Sequence, residues 1–215
     1  MDVRDLFGEI KREVRNATDY RMQYALSRAC QIFCQKSWFL RRQFSFVCVG
    51  LPSPQTYYPV TPPENESIIA IKHAQLTQVT PGNSVVSLRF VYPTLVNPNI
   101  GPEQPTGIAF IPYKQVALFP APDQAYPVLL EIITQNVLNS PYIPDEIGVE
   151  WAQAMGYGAL EWLYKQKGNP WYDPALSKEN QMLFYQQINA AKIKAAYDFT
   201  PNNRSWVSPG FMLRR

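Results

Sequence analysis

The chain has 215 residues, enough for one large domain or two small ones. Its 20 Lys and Arg against 17 Asp and Glu give a formal net charge of +3, too small an excess to argue for nucleic-acid binding by itself. Charged residues are only 17% of the chain and aromatics 13%, against about 25% charged in an average soluble protein. A surface this short of charge suits a chain that hides much of itself in an assembly.

The opening residues are charged and amphipathic, unlike a secretory signal, and no apolar run approaches the roughly 18 residues of a membrane span. The protein is therefore expected to be made in a cytosol and to stay soluble, with no membrane partner. Asp2 can cap a short helix carrying Val3, Leu6, Phe7, Ile10 and Val14 at helical spacing. After a polar break, Thr18 or Asp19 caps a second helix over about residues 20–38. Its apolar stripe is Met22, Ala25, Leu26, Ala29, Cys30, Phe33, Cys34 and Ser37. Arg41 and Arg42 follow, where positive charge complements the negative end of the helix dipole.

Residues 1–49 contain no proline and residues 50–145 contain sixteen of the twenty. Proline is excluded from helix interiors, so helices give way to a loop-rich β region. Strands are expected at 43–50, 67–79, 84–92, 107–113, 115–119 and 127–134. Turn signals stand at Pro81-Gly82-Asn83 and at Pro120-Ala121-Pro122-Asp123, the latter like a hairpin connection. Residues 94–106 read as a long loop. Short strands with such punctuation suggest a small antiparallel sandwich or barrel.

Helices return at Pro144-Asp145, with a stripe of Ile147, Trp151, Ala154, Met155, Gly158 and Trp162. Gly168 follows as a C-cap signal. The small residues Ala152, Ala154, Gly156, Gly158 and Ala159 would let another helix approach closely. Asp173-Pro174 then caps a final helix to about Phe199, striped by Leu176, Leu183, Phe184, Ile188, Ala191 and Ala195. The expected fold is α+β: a helical bundle made of residues 1–49 and 145–199, a β-rich insertion at 50–144, and an extended arm at 200–215.

That arm, TPNNRSWVSPGFMLRR, has two prolines and no acidic residue. It cannot continue the helix, and disordered ends are usually poor in aromatics. Arg204, Trp206, Phe211, Met212, Leu213, Arg214 and Arg215 give it the composition of a segment that docks on another subunit, with aromatic anchors and a basic rim; the other reading has the tail fold back onto its own domain.

Catalytic chemistry is hard to place. There is no Gly-rich phosphate loop, GxSxG, HExxH or CxxC. The one histidine, His73, reads as a surface strand residue. Cys30 and Cys34 share a helix face but lack the further ligands that zinc needs, and read as buried small hydrophobes. Glu64, Glu66 and Glu103 read as loop carboxylates that nothing pairs. The chain reads as a non-enzyme with no catalytic residue, cofactor or metal. A different class stays open: a β-sandwich module in which Tyr57, Tyr58, Tyr92, Tyr113 and Tyr126 are exposed to stack on sugars or bases.

The order of parts resembles the head-to-tail connector proteins of tailed bacteriophages, also called adaptor, head-completion or tail tubular A proteins. The resemblance rests on ALSRACQIFCQKSWFLRR (25–42), QTYYPV (55–60), SIIAIKHAQL (67–76), VALFPAPDQAYPVLLEI (116–132), EWAQAMGYGALEWLY (150–164) and the final helix with its arm. It is a likeness of layout over most of the chain rather than of one signature motif. It implies a structural virion protein at the neck of the particle, assembled in the host cytoplasm. Such proteins form a ring, typically of twelve copies, below the portal. The ring joins head to tail, extends the DNA channel and helps retain the packaged genome. Implied partners are the portal protein, reached by the arm, a tail or nozzle protein facing the β part, neighbouring copies, and genomic DNA passing without sequence-specific contacts.

Overall fold

The computed structural model describes residues 1–51, 56–77, 85–92, 100–111 and 115–197. The turn at 81–83, residues 94–99 of the long loop, Gln55, Tyr113 and the arm at 200–215 lie outside the described residues. The protein is α+β, with N-terminal helices, two sheets of four strands, and C-terminal helices packed on each other.

Asp2 accepts the Arg4 N–H at 2.8 Å and caps a 3-10 turn, Val3–Leu6, that leads into α1, Phe7–Glu13. All five apolar positions of this stretch are buried. Thr18 caps α2, Asp19–Ser37, and the eight stripe residues from Met22 to Ser37 are all buried. A periodic apolar face can bury itself only against another such face, and here the partners are the helices at the other end of the chain.

The expected helix from Pro144 is in fact two: α3, Asp145–Gly148, and α4, Ala152–Tyr164. At the break, Trp151 lays its ring against Phe33 and Phe39, with centroids 5.5 and 5.6 Å away. In α5, Pro174–Ala196, Asp173 accepts from the N–H groups of Ala175 and Leu176, and Pro174 fills the first turn. Its buried stripe is Ser177, Asn180, Phe184, Ile188, Ala191 and Ala195. Leu176 is exposed and Leu183 half-buried, a correction to the expected face. Ser177 and Asn180 can go inside because each donates to a backbone carbonyl, of Glu161 (2.9 Å) and Leu176 (2.9 Å).

Gly158 marks the closest approach among the helices. A Cβ there would lie 2.7 Å from Ala29 Cβ of α2 and 2.9 Å from the Phe184 ring of α5. Residues from α1, α2, α4 and α5 share one apolar core, so the two ends of the chain build a single helical body.

The strands are β1 (Arg41–Val47), β2 (Tyr57–Pro59), β3 (Glu66–Thr77), β4 (Val85–Ser87), β5 (Arg89–Phe90), β6 (Gly107–Ile111), β7 (Gln115–Phe119) and β8 (Pro127–Asn136). One sheet has the order β1-β8-β3-β4 and is antiparallel throughout. The other has the order β2-β7-β6-β5, with β5 parallel to β6. Ala74, Leu76, Val128, Leu130 and Ile132 of the first sheet share a core with Tyr58, Ile108, Val116 and Leu118 of the second.

Two connections differ from the sequence reading. The run 84–92 is not one strand: β4 pairs in the first sheet, β5 in the second, and Leu88 is buried where the chain changes sheet. Residues 120–123 do not close a hairpin either, because β8 lies between β1 and β3 while β7 lies between β2 and β6. They carry the chain from one sheet to the other.

The first sheet is the one that meets the helices. Ile69 of β3 packs against the helical core, α2 lies against β8, and the Ser27 hydroxyl donates to the Val137 carbonyl at 3.2 Å. Among the described residues, no helix is long and apolar enough to cross a membrane.

Candidate docking surfaces

All seven arm residues singled out in the sequence, Arg204 through Arg215, lie outside the described residues. The structure does define where the arm begins. α5 ends beside the first residue of β1: the Arg41 guanidinium donates to the Ala195 carbonyl in the last turn of α5. Arg41 also donates to the Trp38 carbonyl at the end of α2 (3.4 Å) and to Glu131 of β8 (3.2 Å). Lys72 Nζ lies 3.6 Å and His73 Nε2 3.8 Å from the same carboxylate. His73 is largely exposed, as its place in an alternating strand suggested. Its acidic neighbour Glu131 is already shared with two permanent cations, which is the setting of a surface ion cluster.

Arg42, the next residue along β1, serves a different purpose from the expected helix-dipole role. Its guanidinium bonds Glu66 through Nε (3.2 Å) and Nη2 (2.6 Å), and Glu146 through Nη1 (2.6 Å). Thr134 donates its hydroxyl to Glu66 at 2.6 Å. Glu66 is thus a buried strand residue with two partners, where the sequence read it as an unpaired loop carboxylate. Those partners lie 24 and 68 residues away, so no local spacing could have revealed them. Burial alone would lower the Arg42 pKa, but the hydrogen bonds to Glu66 and Glu146 outweigh it and raise it. The hydrogen bond from Arg42 in turn lowers the pKa of Glu146. The network ties β1, β3 and β8 to α3. It joins the sandwich to the helical body and lines an open cavity of about 390 Å³ together with Met1, Asn136, Tyr142 and Asp145.

The cysteines are all free and buried. Burial and the hydrogen bond to Cys34, the larger influence, push the Cys30 thiol well above its ordinary pKa, which suits an inert core position. Of the tyrosines considered for stacking, Tyr58 and Tyr126 are core residues. Their hydroxyls are engaged, Tyr58 receiving the Val49 N–H (3.0 Å) and Tyr126 donating to Asp123 (2.8 Å). Tyr57 and Tyr92 are exposed but belong to opposite edges of the second sheet. The described residues therefore do not bring these tyrosines together, and Tyr113 lies outside them.

Exposed apolar side chains gather in three places instead. Val47, Val49, Leu51 and Tyr57 stand where β1 ends and β2 begins. Val85 of β4, Phe90 of β5 and the following Tyr92 are exposed where the chain changes sheet, and Ile100 is exposed ahead of β6. Met182 and Ile193 lie on the side of α5 opposite its buried stripe, Tyr185 lies on its flank with Lys36 of α2 5.5 Å from its ring, and Tyr197 follows at the helix end. Isolated exposed hydrophobics need no explanation, but grouped ones mark interaction surfaces. No protein-family model matches the chain, and no curated protein matches it beyond chance.

Proposed function

We propose that the protein is a structural component of a phage particle: a head-to-tail connector whose copies form a ring between portal and tail. The observation that carries this reading is the insertion layout. Helices from both ends of the chain share one core, the β sandwich is inserted between them, and the sequence continues beyond α5 into an aromatic and basic arm. The helical body has the role of ring builder. Met182 and Ile193, on the outer side of α5, form its lateral contact with a neighbouring copy. The outer end of the sandwich, at Phe90, Tyr92 and Ile100, faces the tail or nozzle protein. The arm, with Trp206 and Phe211 as pocket-filling anchors, attaches the ring to the portal. Genomic DNA passes through the ring without base-specific contacts, and no chemical step takes place.

The test is sedimentation of the chain with its portal, comparing the full chain with one ending at Tyr197. The full chain should co-sediment as a multi-subunit ring, and the shortened chain should stay folded in a thermal melt but remain unattached. A full chain that is monomeric and ignores the portal overturns the reading. Attachment of the shortened chain would move the docking site away from the arm.

A further inference from the structure

We infer that the outer face of α5 docks into the groove between α1 and α4 of a neighbouring copy, so that successive copies join head to tail. The inference rests on the proposal that copies form a ring, and it names where Met182 and Ile193 land. The groove has a volume of about 460 Å³. Its apolar lining is Ile10 of α1 with Ala152, Gly156 and Leu160 of α4. Gly156 keeps it open: a Cβ there would meet only Glu9 Oε2, at 3.6 Å. Glu9, Arg12 and Glu13 stand exposed along the α1 rim.

The groove and α5 lie on opposite sides of α4. Gly158 is the point where α4 meets α5, beside the Phe184 ring. Gly156 and Leu160 each stand two residues from Gly158, about 200° around the helix, so they face away from α5. On α5 itself the buried stripe leaves Met182, Gln186, Asn189 and Ile193 on the outward face. All four are exposed and uncharged, and their spacing aligns them as one ridge. The ridge thus points one way and the groove the other. Two different patches on opposite sides of one body make a heterologous contact, which repeats from copy to copy and closes a ring when the rotation allows.

Size and charge identify the occupant as a second copy. From Met182 to Ile193 the ridge runs about 16 Å, and from Ala152 to Leu160 the groove runs about 12 Å, at about 1.5 Å per residue. Helices pack by setting such a ridge into a groove. Lys178, Glu179 and Lys192 stand exposed beside the ridge, as Glu9, Arg12 and Glu13 do beside the groove. Two cations and a carboxylate therefore meet two carboxylates and a cation. None of the six forms an ion pair among the described residues, so all can serve the other copy.

Native mass spectrometry of the full chain at high micromolar concentration tests it. The parent should form multi-subunit particles. Met182→Asp combined with Ile193→Asp charges the ridge and keeps the groove; Gly156→Leu fills the groove and keeps the ridge. Each variant should be monomeric with the melting temperature of the parent. Mixed, the two should form a dimer and nothing larger, because one intact contact remains per pair. If Gly156→Leu melts early, Gln153→Arg, at an exposed position lining the groove, takes its place. A groove variant that still assembles alone overturns the inference, because the ridge would then meet some other surface. A mixture that stays monomeric overturns it as well. So does a chain ending at Tyr197 that assembles where the full chain does not, because the arm would then fill the groove. The connector reading fails separately. Particles that assemble as inferred but ignore the portal sink that reading and leave this contact standing; a ring on the portal that survives both variants does the reverse.

Discussion

Gly158 stands where α2, α4 and α5 come closest, and two effects of opposite sign meet there. Alanine is the better helix former by about 1 kcal/mol, yet its methyl would lie 2.7 Å from Ala29 Cβ and 2.9 Å from the Phe184 ring. The ring can turn; Ala29 is fixed by its own backbone. Overpacking of this kind costs about 1–3 kcal/mol, so Gly158→Ala should be net destabilising in a urea titration. An increase in stability would mean that the three helices can spread without loss. The carboxylates around Arg42 make a graded pair. Glu66 is buried and bonded by both Arg42 and Thr134, so Glu66→Ala should cost about 3–5 kcal/mol, as breaking a buried pair does. Glu146 is half-exposed, and Glu146→Gln should cost less than about 1 kcal/mol. The Arg42 hydrogen bond lowers the folded pKa of Glu146. Its contribution is therefore present above the unfolded value and is lost as pH falls through the folded one. The stability difference between Glu146→Gln and the parent should shrink below about pH 4.5, which chemical denaturation at a series of pH values would read.

At the scale of elements, Phe33 joins the helices most directly. It is fully buried and its ring meets Phe39 and Trp151. Phe33→Ala should cost about 3–5 kcal/mol, and Leu183→Ala, on the half-buried flank of α5, less than half of that. Similar costs from a thermal or urea melt would show that the α5 register is wrong. The contrast also explains which helices were legible in the sequence. α2 carries most of its stripe in apolar residues from Met22 to Cys34, with Ser27 and Ser37 buried among and beyond them, so periodicity located the core face. The stripe of α5 begins with Ser177 and Asn180, buried because backbone carbonyls accept their hydrogen bonds. A hydrophobicity pattern passes over such residues and settles on Leu176 and Leu183. Most strand positions were legible through alternation, but the three-residue β2, Tyr57–Pro59, was too short to show a period and was not expected. Sheet membership was not legible, because the change of sheet at Leu88 and the crossing at 120–123 depend on which distant strands β8 and β7 meet. Tyr58 and Tyr126 illustrate the limit for the site: a tyrosine with an engaged hydroxyl is as good a core residue as an exposed platform. Glu66 and Arg42 found each other through the sheet, and the arm could be read only by composition.

At the scale of the molecule, the connector reading and a nucleic-acid-binding module part over DNA. A ring that lets a genome pass must not hold it, so its cations should be neutralised locally rather than arrayed along a groove. Part of the described surface has this character: Arg41 and Lys72 share Glu131, Arg42 lies between Glu66 and Glu146, and Lys194 reaches Glu150. The net charge of +3 leaves only a weak attraction. Binding driven by phosphate contacts falls steeply with salt through counterion release, while base contacts add affinity that depends on sequence. Filter binding of duplex and single-stranded DNA over a salt series should therefore show weak retention at about 50 mM, little by about 200 mM, and no preference among sequences. Tight binding that survives about 0.5 M salt, or discrimination between sequences by more than about tenfold, would favour a true nucleic-acid-binding protein. In that case the aromatic and basic arm would be the first segment to remove: loss of DNA binding with loss of residues 198–215 would reassign Trp206, Phe211 and the three arginines from protein docking to nucleic acid.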